Sequence, residues 1–283
     1  MMNKTILVVI DGLAYDTAEQ CMGFLHGLKE QGTATFYKMQ CELPSKSRPL
    51  YETILTGVVP VVSGIVHNNV VRNSNQQSVF SLARKAKLST AAAAFHWFSE
   101  LYNSSPYDAV RDRHTDDLDK LIQHGCFYHG DSYSDNYVYL DAECLRKKHN
   151  PDFLLIHPMD VDNAGHSSGA DSSHYRNTVR NSDGELSKYL PAWIEAGYQV
   201  IITADHGMNN DKSHGGTLPE ERNIPMFLIG DRFSHQQDCQ PQQLEICGVI
   251  CELLGIDNHG KAVTNNLLLE PSTKDITYLQ AMA

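Results

Sequence analysis

No apolar run in this chain of 283 residues approaches the roughly 18 residues that a bilayer-spanning helix needs, so no membrane partner is expected. Basic charge is scarce as well: 23 Lys and Arg stand against 34 Asp and Glu, a formal net charge of -11 with histidine neutral. Such an acidic balance disfavours non-specific binding to a nucleic-acid polymer or an anionic membrane. The seven cysteines are odd in number and form no C-x-x-C pair, which fits a reducing cytoplasm better than a disulfide framework. The apolar run Thr5–Ile10 is shorter than most signal-peptide cores and ends in Asp11-Gly12, so no export signal is expected. No internal repeat, low-complexity tract or linker is evident, and 1–283 reads as one catalytic domain.

What the chain does have is alternation. Short apolar runs at Thr5–Ile10, Phe153–His157, Gln199–Thr203 and Pro225–Ile229 are each followed by a turn carrying Asp, His or Gly. Between them lie helical stretches at Thr17–Glu30, Ser78–Ala86 and Arg180–Glu195, and a last one at Gln243–Leu254 stops at Gly255. Buried strands with functional residues at their C-terminal ends imply an α/β fold built on a mostly parallel sheet. Ala91–Ala94 has helical propensity, but its place after Lys85-Ala86-Lys87 favours a strand. The polar stretch 99–149 reads as a possible small cap or excursion beside the sheet. Its basic cluster Arg146-Lys147-Lys148-His149 reads as a solvated helix end, and Cys247 and Cys251 as core residues.

The chain carries 14 histidines, and several sit where strands end. Asp11 leaves the first strand. Ser45 and Ser47 precede a helix start, where a hydroxyl can present a nucleophile beside exposed N–H groups or merely cap the helix. Asp162 and His166 are four apart, close enough on one helical turn to reach the same ion. Asp205-His206 directly follows a buried strand, and His214 lies one short loop further on. Three Asp, three His and a Ser make two zinc sites with mixed oxygen and nitrogen ligands, and the cysteines avoid all of these segments.

The ordered set resembles the alkaline phosphatase superfamily, and within it the type I phosphodiesterase/nucleotide pyrophosphatase family. Its most specific pieces are Asp162-x-x-Gly-His166, Asp205-His206-Gly-Met, and the segment from Ser47 through Thr56-Gly57 to His67-Asn68. The resemblance implies an alkaline-phosphatase-like three-layer α/β/α sandwich. It also implies two zinc ions, one held by Asp11, Ser47, Asp205 and His206 and the other by Asp162, His166 and His214. Ser47 is then the nucleophile rather than Ser45, and Asn68 is the amide aimed at the phosphoryl group. Arg48-Pro49-Leu50 departs from the Phe-Pro-Asn of nucleotide-cleaving relatives, His157 stands where they tend to carry Tyr, and Ser47 replaces their usual Thr. Arg48 and His157 are therefore expected to contact the substrate, with Arg48 pairing a second anionic group. The function implied is hydrolysis of a small phosphate- or phosphonate-containing substrate through a phosphoseryl intermediate. A phosphonoacetate-hydrolase-like C–P bond hydrolase, a phosphomonoesterase and a metal-binding protein without turnover are the alternatives.

Overall fold

The computed structural model describes residues 4–130 and 132–269. Its strands are β1 Lys4–Val9, β2 Ala34–Gln40, β3 Thr90–Phe95, β4 His114–Asp116, β5 His124–Tyr128, β6 Phe153–Ile156, β7 Tyr198–Thr203 and β8 Asn223–Ile229. The helices are α1 Tyr15–Cys21, α2 Gly23–Glu30, α3 Ser47–Thr56, α4 Pro60–Ser63, α5 Val79–Lys85, α6 Trp97–Tyr102, α7 Asp135–His149, α8 Asp160–Ser168, α9 Ser173–Glu195, α10 Pro219–Arg222 and α11 Ile246–Leu254. A single 3₁₀ turn, Gln243–Glu245, leads into α11.

The strands form one eight-stranded sheet in the order β2-β8-β7-β1-β6-β3-β5-β4. From β7 to β5 every neighbouring pair is parallel, while β8, β2 and β4 join by antiparallel pairing at the two sides. In the middle, Leu7 lies level with Leu155 on one side and Ile201 on the other. These strands read as unbroken apolar runs because both faces are covered, and Ile6 through Ile10 are buried throughout. Helices α3, α5 and α11 pack together on one face, and α1, α2, α7 and α9 on the other. The architecture is the expected three-layer sandwich.

Two helices differ from their sequence outlines. The stretch Thr17–Glu30 is broken at Met22 into α1 and α2. Gly23 weakens the helix there, and the Asp183 carboxylate reaches over from α9 to accept from Phe24 N at 2.7 Å and Leu25 N at 3.2 Å, starting a new helix. α9 begins well before Arg180, at the Ser172 cap, whose hydroxyl accepts from Tyr175 N at 3.0 Å.

Residues 99–149 are built largely into the fold. β5 extends the parallel sheet beside β3, β4 closes that side, and α7 returns across the sheet to β6. β3 is a strand, and the small side chains of Ala91–Ala94 sit in the sheet with α5 and α7 close against it. An alanine there leaves room for two helices. Ala92→Leu should therefore overpack the centre and cost about 1–3 kcal/mol. The expected readout is a lower urea midpoint at an unchanged m-value; an unchanged midpoint would show that the layer can yield.

Candidate metal centre and active site

The parallel strands deliver their chemistry to one rim. Asp11 follows β1, His157 follows β6, and Asp205 and His206 follow β7. Asp162 and His166 come one turn apart on α8, just after β6, and His214 comes from the loop between β7 and β8. Ser47 is the first residue of α3, which lies buried along its whole length and ends at Gly57, φ 65°. All the candidate ligands converge.

His206 Nε2 lies 3.1 Å from Asp205 Oδ2, 3.4 Å from Asp11 Oδ1 and 3.1 Å from Ser47 Oγ. His166 Nε2 lies 3.4 Å from Asp162 Oδ2 and 3.2 Å from His214 Nε2, which is itself 3.8 Å from Asp162 Oδ1. The His206 and His214 rings stack at 3.6 Å between the two groups. Donors in a tetrahedral zinc site with bonds of about 2.0–2.1 Å are about 3.3 Å apart, and most of these separations fall close to that.

Protonation agrees with the spacing. Each of the three imidazoles donates from Nδ1 to a backbone oxygen: His206 to Gly207 at 2.9 Å, His166 to Lys212 at 2.9 Å, His214 to Ser45 at 2.7 Å. Each Nε2 then turns a lone pair inward, the usual arrangement of a metal-ligating histidine. Burial pushes the His206 and His214 pKa values down, His214 to about 3 with the help of nearby His206, so both rings are neutral.

The carboxylates carry the opposite problem. Burial, with the charges of Asp11 and Asp162, pushes Asp205 well above the usual carboxylate range. Burial also opposes the Asp11 charge, but hydrogen bonds from His157 and Tyr51 and the neighbouring His206 outweigh it and bring that pKa down to about 2. Among the described residues, Asp11 Oδ1 and Asp205 Oδ2 are buried without a hydrogen-bond partner. Buried acceptors without donors are costly, and neutral imidazoles aimed at them do not supply the missing charge. A divalent cation does, so the residues present fit metal binding, with a mixture of oxygen and nitrogen donors that zinc accepts.

Supporting groups hold these ligands from behind. Tyr51, one turn after Ser47 on α3, donates to Asp11 Oδ2, and its ring stacks on Phe98. Tyr175 Oη donates to Gly12 O at 2.5 Å and accepts from Ala14 N at 2.9 Å, while Gly12 N donates to Asp205 Oδ1 at 3.1 Å. Gly12 has φ +68°, and a Cβ there would stand 2.7 Å from Asp162 Oδ1, so only glycine lets β1 and α8 approach. The sequence reading missed both tyrosines. Tyr51 had a findable signal in its i+4 spacing from Ser47, whereas Tyr175 had none.

Three expectations can now be placed. Ser45 neither caps α3 nor faces the ligands: its Oγ donates to Gly216 O at 2.9 Å and accepts from Gly215 N at 3.0 Å, bracing the His214 loop. His157, expected to contact the substrate, is fully buried, with Nε2 3.2 Å from Asp11 Oδ2 and its ring packed against Tyr51 and Phe98, so it works on Asp11. Arg48, expected to pair with a second anionic group, is paired within the protein. It is 1% exposed, its Nη2 is 2.6 Å from Glu100 Oε2, and its guanidinium lies over Trp97. Helix position decides this: Ser47 faces the ligands, and the next residue points about 100° away into the α6 layer. Asn68 Oδ1 accepts from the backbone N–H of Arg48, the residue after Ser47, at 3.1 Å.

Residues 5–217 match the family model of type I phosphodiesterase/nucleotide pyrophosphatase. The chain belongs to that family. That family is one of phosphoester-handling enzymes, and the fold of the chain is alkaline-phosphatase-like. Human ectonucleotide pyrophosphatase/phosphodiesterase 5 superposes with a TM-score of 0.72 at 14% identity, covering 94% of this chain and 100% of that one. The murine protein gives 0.70 at 12% identity, with 94% and 100% covered. By sequence the chain is similar to the catalytic subunit of human GPI ethanolamine phosphate transferase 2, 24% identical over 275 residues, which span 90% of this chain and 27% of that protein. GPI ethanolamine phosphate transferase 2 of Kluyveromyces lactis is 24% identical over 256 residues, 85% of this chain and 30% of that one. The chain thus spans under a third of the length of these curated relatives.

Removing a partner that orients a metal ligand typically weakens metal affinity about 10–100-fold. Tyr51→Phe should weaken zinc binding by that amount in a competition titration against a chromophoric chelator. Unaltered affinity would show that Asp11 needs no support from α3.

Proposed function

We propose that the chain is a zinc-dependent phosphoester hydrolase that works through a phosphoseryl intermediate on Ser47. The observation that carries this reading is the position of Ser47 Oγ at the helix start, 3.1 Å from His206 Nε2 and beside the Asp11/Asp205 carboxylates. Asp11, Ser47, Asp205 and His206 would hold one zinc ion, and Asp162, His166 and His214 the other. Bound there, zinc supplies a lowered hydroxyl pKa and positive charge for the attacking and leaving oxygens.

The chain's own groups do the rest. Ser47 Oγ attacks phosphorus in line and displaces the leaving oxygen, and water then cleaves the Ser47 phosphoester from the leaving-group side. With Oδ1 engaged by the Arg48 N–H, the Asn68 amide is fixed in orientation and its NH2 group remains to donate to a non-bridging phosphoryl oxygen. Burial of α3 keeps Ser47 in one position, which lowers the entropic cost of alignment. The proposed substrate is a small phosphate- or phosphonate-containing molecule, and the proposed setting is the cytoplasm.

A second reading replaces water by an alcohol acceptor. It is favoured by the relatives named as GPI ethanolamine phosphate transferases. Both readings share the Ser47 step and differ only in what takes the phosphoryl group from it.

Purified zinc-loaded protein is expected to hydrolyse a generic nitrophenyl phosphodiester. Parallel rates on a nitrophenyl monoester and phosphonoacetate rank the other bond types, and added alcohols that divert product from hydrolysis to transfer would favour the second reading. Ser47→Ala should abolish multiple turnover while leaving circular dichroism unchanged. If Ser45→Ala proves the inactive variant instead, the nucleophile is misassigned. Asn68→Ala should lower kcat by about 10²–10³, the usual size of losing one oxyanion donor. Loss of zinc in that variant would make Asn68 a structural residue.

A further inference from the structure

Asp116, His124 and His149 form a cluster with no part in the chemistry above. β4 and β5 pair antiparallel with Asp116 directly opposite His124. His124 opens β5, so it lies at the N-terminal rim of the parallel sheet, opposite the catalytic rim. His149 is the last residue of α7, which crosses back to that same rim. His149 is thus not simply part of a solvated helix end: it is half-buried, with its ring stacked on His124 at 3.6 Å and 13°. Asp116 Oδ1 lies 2.8 Å from His124 Nδ1, and the donor atoms of the three residues are all within 4.8 Å of one another.

We propose that Asp116, His124 and His149 bind a divalent transition-metal ion, zinc being the best fit, at a site separate from the catalytic pair. Two imidazole nitrogens and one carboxylate oxygen are a donor set that zinc accepts, with water completing four-coordination. Calcium and magnesium take oxygen ligands and are a poor match. The His124/His149 pair stacks at 3.6 Å, as the His206/His214 pair does at the opposite rim.

One local feature favours a cation here. α7 is a 15-residue helix whose C-terminal carbonyls present partial negative charge at His149. The basic neighbours are largely spoken for. Arg146 and Lys147 pair with Glu143 at 2.7 and 3.4 Å. Lys148 is 3.3 Å from Asp116 Oδ2, but both side chains are more than half exposed, and such a pair yields readily.

The consequence is structural. β4 is only three residues long and closes one side of the sheet, where a strand with an open edge is a liability. One ion bound by β4, β5 and α7 would staple that edge to the helix behind it.

The test is metal content per chain of the full protein, by elemental analysis after equilibration with buffered zinc, for wild type and for His149→Gln. The expected result is one ion fewer in the variant, with nitrophenyl phosphodiester turnover unchanged within about twofold. The zinc-dependent rise in Tm of wild type should shrink in the variant. His124→Gln should give the same loss, and His149→Gln, at a half-exposed helix end, is the safer variant if that one fails to fold. Equal zinc content in wild type and a folded His149→Gln protein would overturn the proposal. The comparison counts a difference, so it holds whether or not the catalytic rim carries two ions, and Asp205→Asn tests that rim independently.

Discussion

Three carboxylates brought together out of water are the constraint around which this molecule is built. Asp11, Asp162 and Asp205 are buried at one rim of the sheet, two of them with an oxygen that no described donor reaches. In a medium that screens poorly, such charges either take up protons or face a cation. The surrounding residues favour the cation: neutral imidazoles with inward lone pairs, Tyr51 and His157 donating to Asp11, and the Gly12 N–H donating to Asp205.

The fold can be understood as the means of holding that arrangement. Parallel strands end at the same level, so residues far apart in the chain arrive within a few ångströms, as Asp11 and Asp205 do after β1 and β7. The rigid sheet supplies the carboxylates, while α3 and α8 supply Ser47, Asp162 and His166. The loop that carries His214 is pinned by Ser45 and by Glu221 Oε2, which accepts from Gly216 N at 2.5 Å. The Ser45 hydroxyl, one of the two candidate nucleophiles in the sequence, braces the His214 loop.

The departures from the family pattern turn inward in this structure. Where nucleotide-cleaving relatives carry an aromatic ring after the nucleophile, this chain buries Arg48 against Glu100 and Trp97. His157 likewise backs Asp11 from the interior. Both residues therefore shape the position of Ser47 and Asp11 rather than meet a ligand.

The amino-acid sequence alone determined the layered α/β class, the central strands and the acids and histidines that meet at one rim. Those features are local: an apolar run long enough for one strand, then an acid or histidine at its exit. Spacing also sufficed for Asp162 and His166, because one helical turn places them on the same side. What the chain could not reveal depends on partners distant in sequence. Asp183 breaks the first helical stretch from 159 residues away, Tyr175 reaches Gly12 across 163, and His157 meets Asp11 across 146. The way Ser45, Arg48 and His157 face was decided by packing: Ser45 turns to the His214 loop, Arg48 to Glu100 on α6, and His157 to Asp11. Residue type and order state which groups are present, and only packing decides which way each one faces.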